Sequence, residues 1–109
     1  MSEIAKTPQP PYYAVIFTSL RTEGEEGYGK MADLMGELAS QQQGFLGVES
    51  VRDENGVGIT VSYWDSPEAI QGWKEHALHR IAQEKGKSTW YKSFGLRIAK
   101  VERDRFFGE

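Results

Sequence analysis

Residues 44–79 hold a hairpin and a helix back to back, and that pairing limits the folds open to the rest of the chain. GFLGVESVR (Gly44–Arg52) and GITVSYW (Gly58–Trp64) are strand-like, with β-branched and aromatic residues enriched. Between them runs Asp53-Glu54-Asn55-Gly56, and Asn-Gly accepts the positive φ that tight hairpins need. DSPEAIQGWKEHALH follows at once. Ser66 can cap the free N–H groups of a helix, and Pro67 at its first position gives up an N–H that had no partner.

The flanking segments complete an alternating pattern. YYAVIFTSL (Tyr12–Leu20) reads as a first strand, apolar on both faces: Tyr13, Val15 and Phe17 on one, Ala14, Ile16 and Leu20 on the other. Two apolar faces imply burial on both sides. From Tyr28 to about Gln42, apolar residues recur at helical spacing (Tyr28, Met31, Ala32, Met35, Leu38, Ala39), and Gly44 is a helix stop. In the second helix, Ile70, Trp73, Ala77 and Ile81 share a face, with Gly86 as terminator. TWYKSFGLRIAKVER (Thr89–Arg103) is a last strand, bent at Gly95. The order β-α-β-β-α-β predicts an α+β, ferredoxin-like domain over residues 12–107, its antiparallel sheet carrying two helices on one face. Residues 1–11, with Pro8, Pro10 and Pro11, are expected to form a flexible N-terminal tail. The face without helices is too apolar for water. A second copy of the sheet would cover it, so a homodimer with a barrel-like interface is expected.

Composition closes off several classes of function. The chain has 109 residues, 39% of them hydrophobic, enough for one small domain. A formal net charge of -3, without a basic run, argues against nucleic acid. There is no cysteine, hence no disulfide, thiolate chemistry or sulfur-bound zinc. The N-terminal residues lack the apolar stretch of a signal peptide, and no apolar run nears the ~20 residues that span a bilayer. A cytoplasmic protein without membrane contact is expected.

Few residues carry chemistry. His76 and His79 sit at i, i+3 on the second helix, beside Trp73, and histidine alone titrates near neutrality when unperturbed. They could serve a metal, a haem or a general-base site, or be plain helix-flank residues. An ideal helix puts His79 nearly opposite the core face and His76 on its flank. The spacing carries no specific zinc pattern, and no metal site is predicted. Trp73 and Trp64 fit either core packing or the aromatic wall of a small-molecule cavity, a wall that Tyr63, Trp90, Tyr91 and Phe94 could join. Arg52, Arg97 and Arg103 could clamp an anion or simply be solvated. Gly24–Gly29 (GEEGYG) has a phosphate loop's glycines but not its chemistry: Glu25 and Glu26 would repel phosphate and no Lys-Ser follows.

The GFLG start of the hairpin, GITVSYWDSPEAIQGW, and the WY opening the last strand together resemble the antibiotic biosynthesis monooxygenase family, over Tyr12 to about Phe107. The resemblance implies a dimeric α+β barrel and a choice of activities. Some relatives are cofactor-independent oxygenases of polycyclic phenols, in which a phenolate reacts with O2 in a dry pocket; His76 and Trp73 would be the catalytic residues, and no cofactor is expected. Others degrade haem with a first-strand asparagine, a tryptophan and a second-helix histidine. Trp73 matches that tryptophan, but YYAVIFTSL has no asparagine and the position expected for the histidine is Gln83. Haem is therefore the alternative cofactor. A third possibility is a dimeric module that binds a small molecule without turning it over.

Overall fold

The structure, a computed structural model, describes residues 4–23, 28–83 and 91–108. Within them run β1 (Tyr12–Arg21), α1 (Tyr28–Ser40), β2 (Phe45–Arg52), β3 (Val57–Trp64), α2 (Pro67–Gln83) and β4 (Tyr91–Val101). The strands make one antiparallel sheet in the order β2-β3-β1-β4. This is the ferredoxin-like α+β architecture expected from the order of elements.

Local chemistry explains the joints. Gly56 takes φ +92° at the hairpin turn, and the Asp53 carboxylate accepts the N–H groups of Asn55 and Val57, both at 2.9 Å. Ser66 Oγ accepts the Ala69 N–H at 3.1 Å, satisfying one of the free donors in the first turn of α2. The expected bend at Gly95 leaves the pairing undisturbed: Thr18 faces Gly95 in register, and the β1–β4 shift falls between Leu20 and Arg21. Trp90 and Gly86 lie outside the described residues, as do residues 24–27 of the GEEGYG segment.

Register and alternation assign the two faces. Tyr13, Val15, Phe17 and Ser19 share a face with Trp64, Ser62, Thr60 and Gly58 of β3 and with Ile98, Leu96 and Phe94 of β4. The helices pack on this face, α1 against β2 and α2 against β3. The core there joins Val15, Ala39, Trp64 and Ile70, with Tyr13, Phe45, Ala69 and Trp73 around it. The other face carries Tyr12, Ala14, Ile16, Val57, Ile59, Val61 and Tyr63. Its Tyr12 end is tied down by the chain's own ends: Ala5 N–H donates to Glu49 (2.9 Å), the Thr7 hydroxyl to Tyr12 Oη (2.9 Å), and the Tyr12 hydroxyl to Asp104 (2.6 Å). The described part of the expected tail, residues 4–11, is thus hydrogen-bonded to the sheet.

Candidate functional site

An aromatic stack rises from the helix-bearing face. Trp64 is its fully buried base. The indole N–H donates to Ser62 Oγ at 2.9 Å, so the one polar atom of this ring is satisfied. Phe45 meets Trp64 edge-on at 5.4 Å. Trp73 lies nearly parallel above it, 6.1 Å away at 22°. His76 continues the stack on Trp73 at 5.9 Å and 25°, because residues three apart on a helix are surface neighbours. The imidazole is exposed, so the stack runs from core to solvent.

A second aromatic group stands on the same face across the sheet. Phe17 meets Tyr91 at 5.5 Å and Phe94 at 5.4 Å, and Tyr91 and Phe94 are 5.9 Å apart. Phe94 begins an apolar row with Leu96 and Ile98, all three exposed although they lie on the helix side. The helices cover the β2–β3 half of this face, and the β4 row lies beyond them.

Hydroxyl groups run along β3 from one aromatic group to the other, Ser62 beside Trp64 and Thr60 opposite Phe17. Ser50 Oγ and Thr60 Oγ1 share a hydrogen bond of 2.7 Å, one strand-row from Ser62. At the hairpin end, Arg52 Nη2 donates to the buried Ser19 Oγ at 2.8 Å and Nη1 to the Gly56 carbonyl at 2.6 Å. The guanidinium lies over Gly58, where a Cβ would come within 2.5 Å of Arg52 Cζ. Apolar walls with a few oriented polar groups are what a ligand site for a flat, oxygen-bearing molecule requires.

The residues singled out in the sequence divide between the two faces. Trp64, Trp73 and His76 come together in the stack; Tyr91 and Phe94 share their face in the second group. Tyr63 is on the opposite face. It donates to Glu49 at 2.7 Å and meets Tyr12 edge-on at 5.9 Å. Burial and the bond to the Glu49 carboxylate push its phenol up to about 12. Burial and the bond to Asp104 likewise raise Tyr12. His79 lies on α2, and its side chain is outside the described residues. Ser19, Ser50, Thr60 and Ser62 were not anticipated. Their signal was available: in a strand, every second residue shares the face of Trp64.

No group of three or more His, Asp or Glu side chains that could hold a metal ion occurs among the described residues, and no described helix is long and apolar enough to cross a membrane. Haem fits poorly with the described side chains. A histidine that would hold the iron needs a ring nitrogen facing an enclosed apolar site, whereas His76 is exposed with its ring lying along Trp73.

Fold and site together describe a ferredoxin-like α+β domain with an aromatic, hydroxyl-bearing face. The Antibiotic biosynthesis monooxygenase family profile matches residues 11–85, and the chain belongs to that family. The uncharacterized protein YqjZ of Bacillus subtilis (strain 168) is 57% identical over 109 residues, covering 100% of this chain and 96% of that one. Among solved structures, NE2512 of Nitrosomonas europaea, a protein of unknown function, superposes with a TM-score of 0.73 at 8% identity, covering 94% of this chain and 100% of that one. SnoaB, a cofactor-independent oxygenase from Streptomyces nogalater, superposes with a TM-score of 0.65 at 7% identity, covering 90% and 98%. At such identities the two structures speak for the fold alone.

Proposed function

We propose that this chain is a homodimeric protein that binds a small aromatic molecule of quinone type on its helix-bearing face and oxidises it without a dedicated cofactor. The observation that carries this reading is the pair of β3 hydroxyls, Ser62 under the Trp64–Trp73–His76 stack and Thr60, hydrogen-bonded to Ser50, beside the Phe17–Tyr91–Phe94 group. The rings offer apolar area to a flat molecule, and the hydroxyls offer partners to its oxygens. The monooxygenase family whose profile the chain matches supports the choice of reaction class. In that reaction the substrate enters as the reduced phenol or quinol and supplies all four electrons: one oxygen atom of O2 enters the ring, the other leaves as water, and the product is a hydroxylated quinone. His76, at the solvent end of the stack, is the group to take the phenolic proton, and Trp73 is the wall.

The test is a titration with a naphthoquinol, followed by tryptophan fluorescence and by oxygen uptake. Quenching and oxygen consumption above the protein-free rate are expected. Trp73→Ala should weaken binding at least tenfold, about 1.4 kcal/mol. Tyr63→Phe, on the other face, should leave binding unchanged, and His76→Ala should slow oxygen uptake without weakening binding. Equal quenching in wild type and Trp73→Ala would remove the site from this face. Binding without oxygen uptake would leave a binding module.

A further inference from the structure

A cation stands at the hairpin end of the helix-bearing face. Arg52, Gly58, Ser19 and Phe94 form one row across the four strands there. The next row is Ser50, Thr60, Phe17 and Leu96. Neighbouring rows on one face are two residues apart, about 7 Å. The Arg52 guanidinium is thus one row from the hydrogen-bonded Ser50–Thr60 pair, and it reaches the row that holds Phe94 of the second aromatic group.

A solvated surface arginine needs no special surroundings, whereas Arg52 has several. It is half-buried, and its side chain crosses β3 instead of extending into water. The crossing depends on glycine at position 58, since a Cβ there would come within 2.5 Å of Arg52 Cζ. Glycine weakens a strand interior, so strand propensity is given up where the guanidinium lies. At the far side of β3, Nη2 donates to the buried Ser19 Oγ at 2.8 Å, while Nη1 donates to the Gly56 carbonyl at 2.6 Å. Bonds from two different nitrogens fix the plane of the guanidinium as well as its position. Glu49, the only carboxylate borne by the four strands, is on the opposite face, where it accepts from Tyr63.

Resting on the reading that a flat aromatic molecule binds this face, we propose that Arg52 is the residue that selects a ligand with an ionised ring hydroxyl over a neutral quinone. The ligand chemistry is that of a phenolate or of an ionised hydroxyquinone. Each spreads one negative charge over its ring oxygens and accepts charge-assisted hydrogen bonds from a planar guanidinium. A ring lying against Phe17 with one oxygen at Thr60 turns its far edge to Arg52. A cation at that edge favours the ionised form of the bound hydroxyl. Ser19 and Gly58 are positioning residues, one holding the guanidinium and the other leaving room for it.

Two naphthoquinones of similar shape make the test: one with a hydroxyl on the quinone ring, which is ionised at neutral pH, and one with a methyl group in its place, which is neutral. Tryptophan quenching gives both affinities. The wild type is expected to hold the anion more tightly by about tenfold or more, as a hydrogen bond to a charged group allows. Arg52→Gln should remove this preference by weakening the anion alone. Gly58→Ala should do the same with every charge kept, because the new Cβ displaces the guanidinium, and an unchanged circular dichroism spectrum shows that the sheet is retained. Oxygen uptake from naphthoquinol separates the two sources of the anion. A lower kcat in Arg52→Gln places it on the substrate, and an unchanged kcat with weaker inhibition by the hydroxyquinone places it on the product. Equal affinities for the two quinones in the wild type, or a preference that survives Arg52→Gln, overturns the proposal and spares the aromatic site. Quenching by neither quinone overturns the site and the proposal with it.

Discussion

Tyr63 and Trp64 are chain neighbours with opposite destinations. Successive strand residues face opposite sides of a sheet, so Trp64 goes into the core under α2 while Tyr63 pairs with Glu49 on the face without helices. Grouping both in one aromatic wall, on residue type alone, overlooked that alternation. The period of two was readable in the sequence. Which serines would be buried was not, because Ser19 owes its burial to its place in the sheet and to Arg52, thirty-three positions along the chain. The environment of Tyr63 has a measurable consequence. Its phenol is raised from the ordinary 10.0 to about 12, so the folded state favours the neutral form. The unfolded chain releases this proton first as pH rises, and the associated stability is full below pH 10 and lost as pH climbs towards 12. Titration of tyrosinate absorbance should show late-ionising groups. Tyr63→Phe should remove one of them and flatten the alkaline decline in stability.

Among the elements, the hairpin and the start of α2 were the most readable, since their signals are local. Asn55-Gly56 makes the turn, Ser66 makes the cap, and the register between β2 and β3 follows. The reason for the first glycine of GFLG is not local. Gly44 has φ +90°, and a Cβ there would come within 2.6 Å of both Ala69 Cβ and Asp65 Oδ1. Its carbonyl also accepts the Asp65 N–H at 2.8 Å. Gly44 is therefore the point where the start of β2, the end of β3 and the first turn of α2 meet. Gly44→Ala is expected to cost at least about 1–2 kcal/mol from the left-handed backbone alone. Ser66→Ala, a few positions away in the same corner, should cost about 1 kcal/mol through the lost cap. Urea denaturation of the two variants checks both values and their order.

For the molecule as a whole, topology could be read because β-α-β-β-α-β has few compact solutions. The extent of helix cover could not, since it depends on where α1 and α2 come to rest over a four-stranded sheet. They rest on β2 and β3, leaving the β4 row and the opposite face with exposed apolar side chains. A domain of this size buries a modest share of its surface alone, so association should contribute visibly to its stability. Folding linked to dimerisation makes the melting temperature rise with protein concentration. A rise of a few degrees for each tenfold increase is expected by scanning calorimetry, and a midpoint independent of concentration would mark a self-sufficient monomer.

The hairpin tip has a practical corollary. Exposed turns are where inserted peptides are usually accepted, yet this one is stitched to its surroundings. The Gly56 carbonyl accepts both the Arg21 N–H at 3.0 Å and Arg52 Nη1 at 2.6 Å, tying the tip to β1 and to its own strand. Lengthening the loop between Asp53 and Gly56 would move that carbonyl and release Arg52 from Ser19. A reporter tag placed there should lower expression and solubility, whereas one attached before Ile4 should be carried without loss.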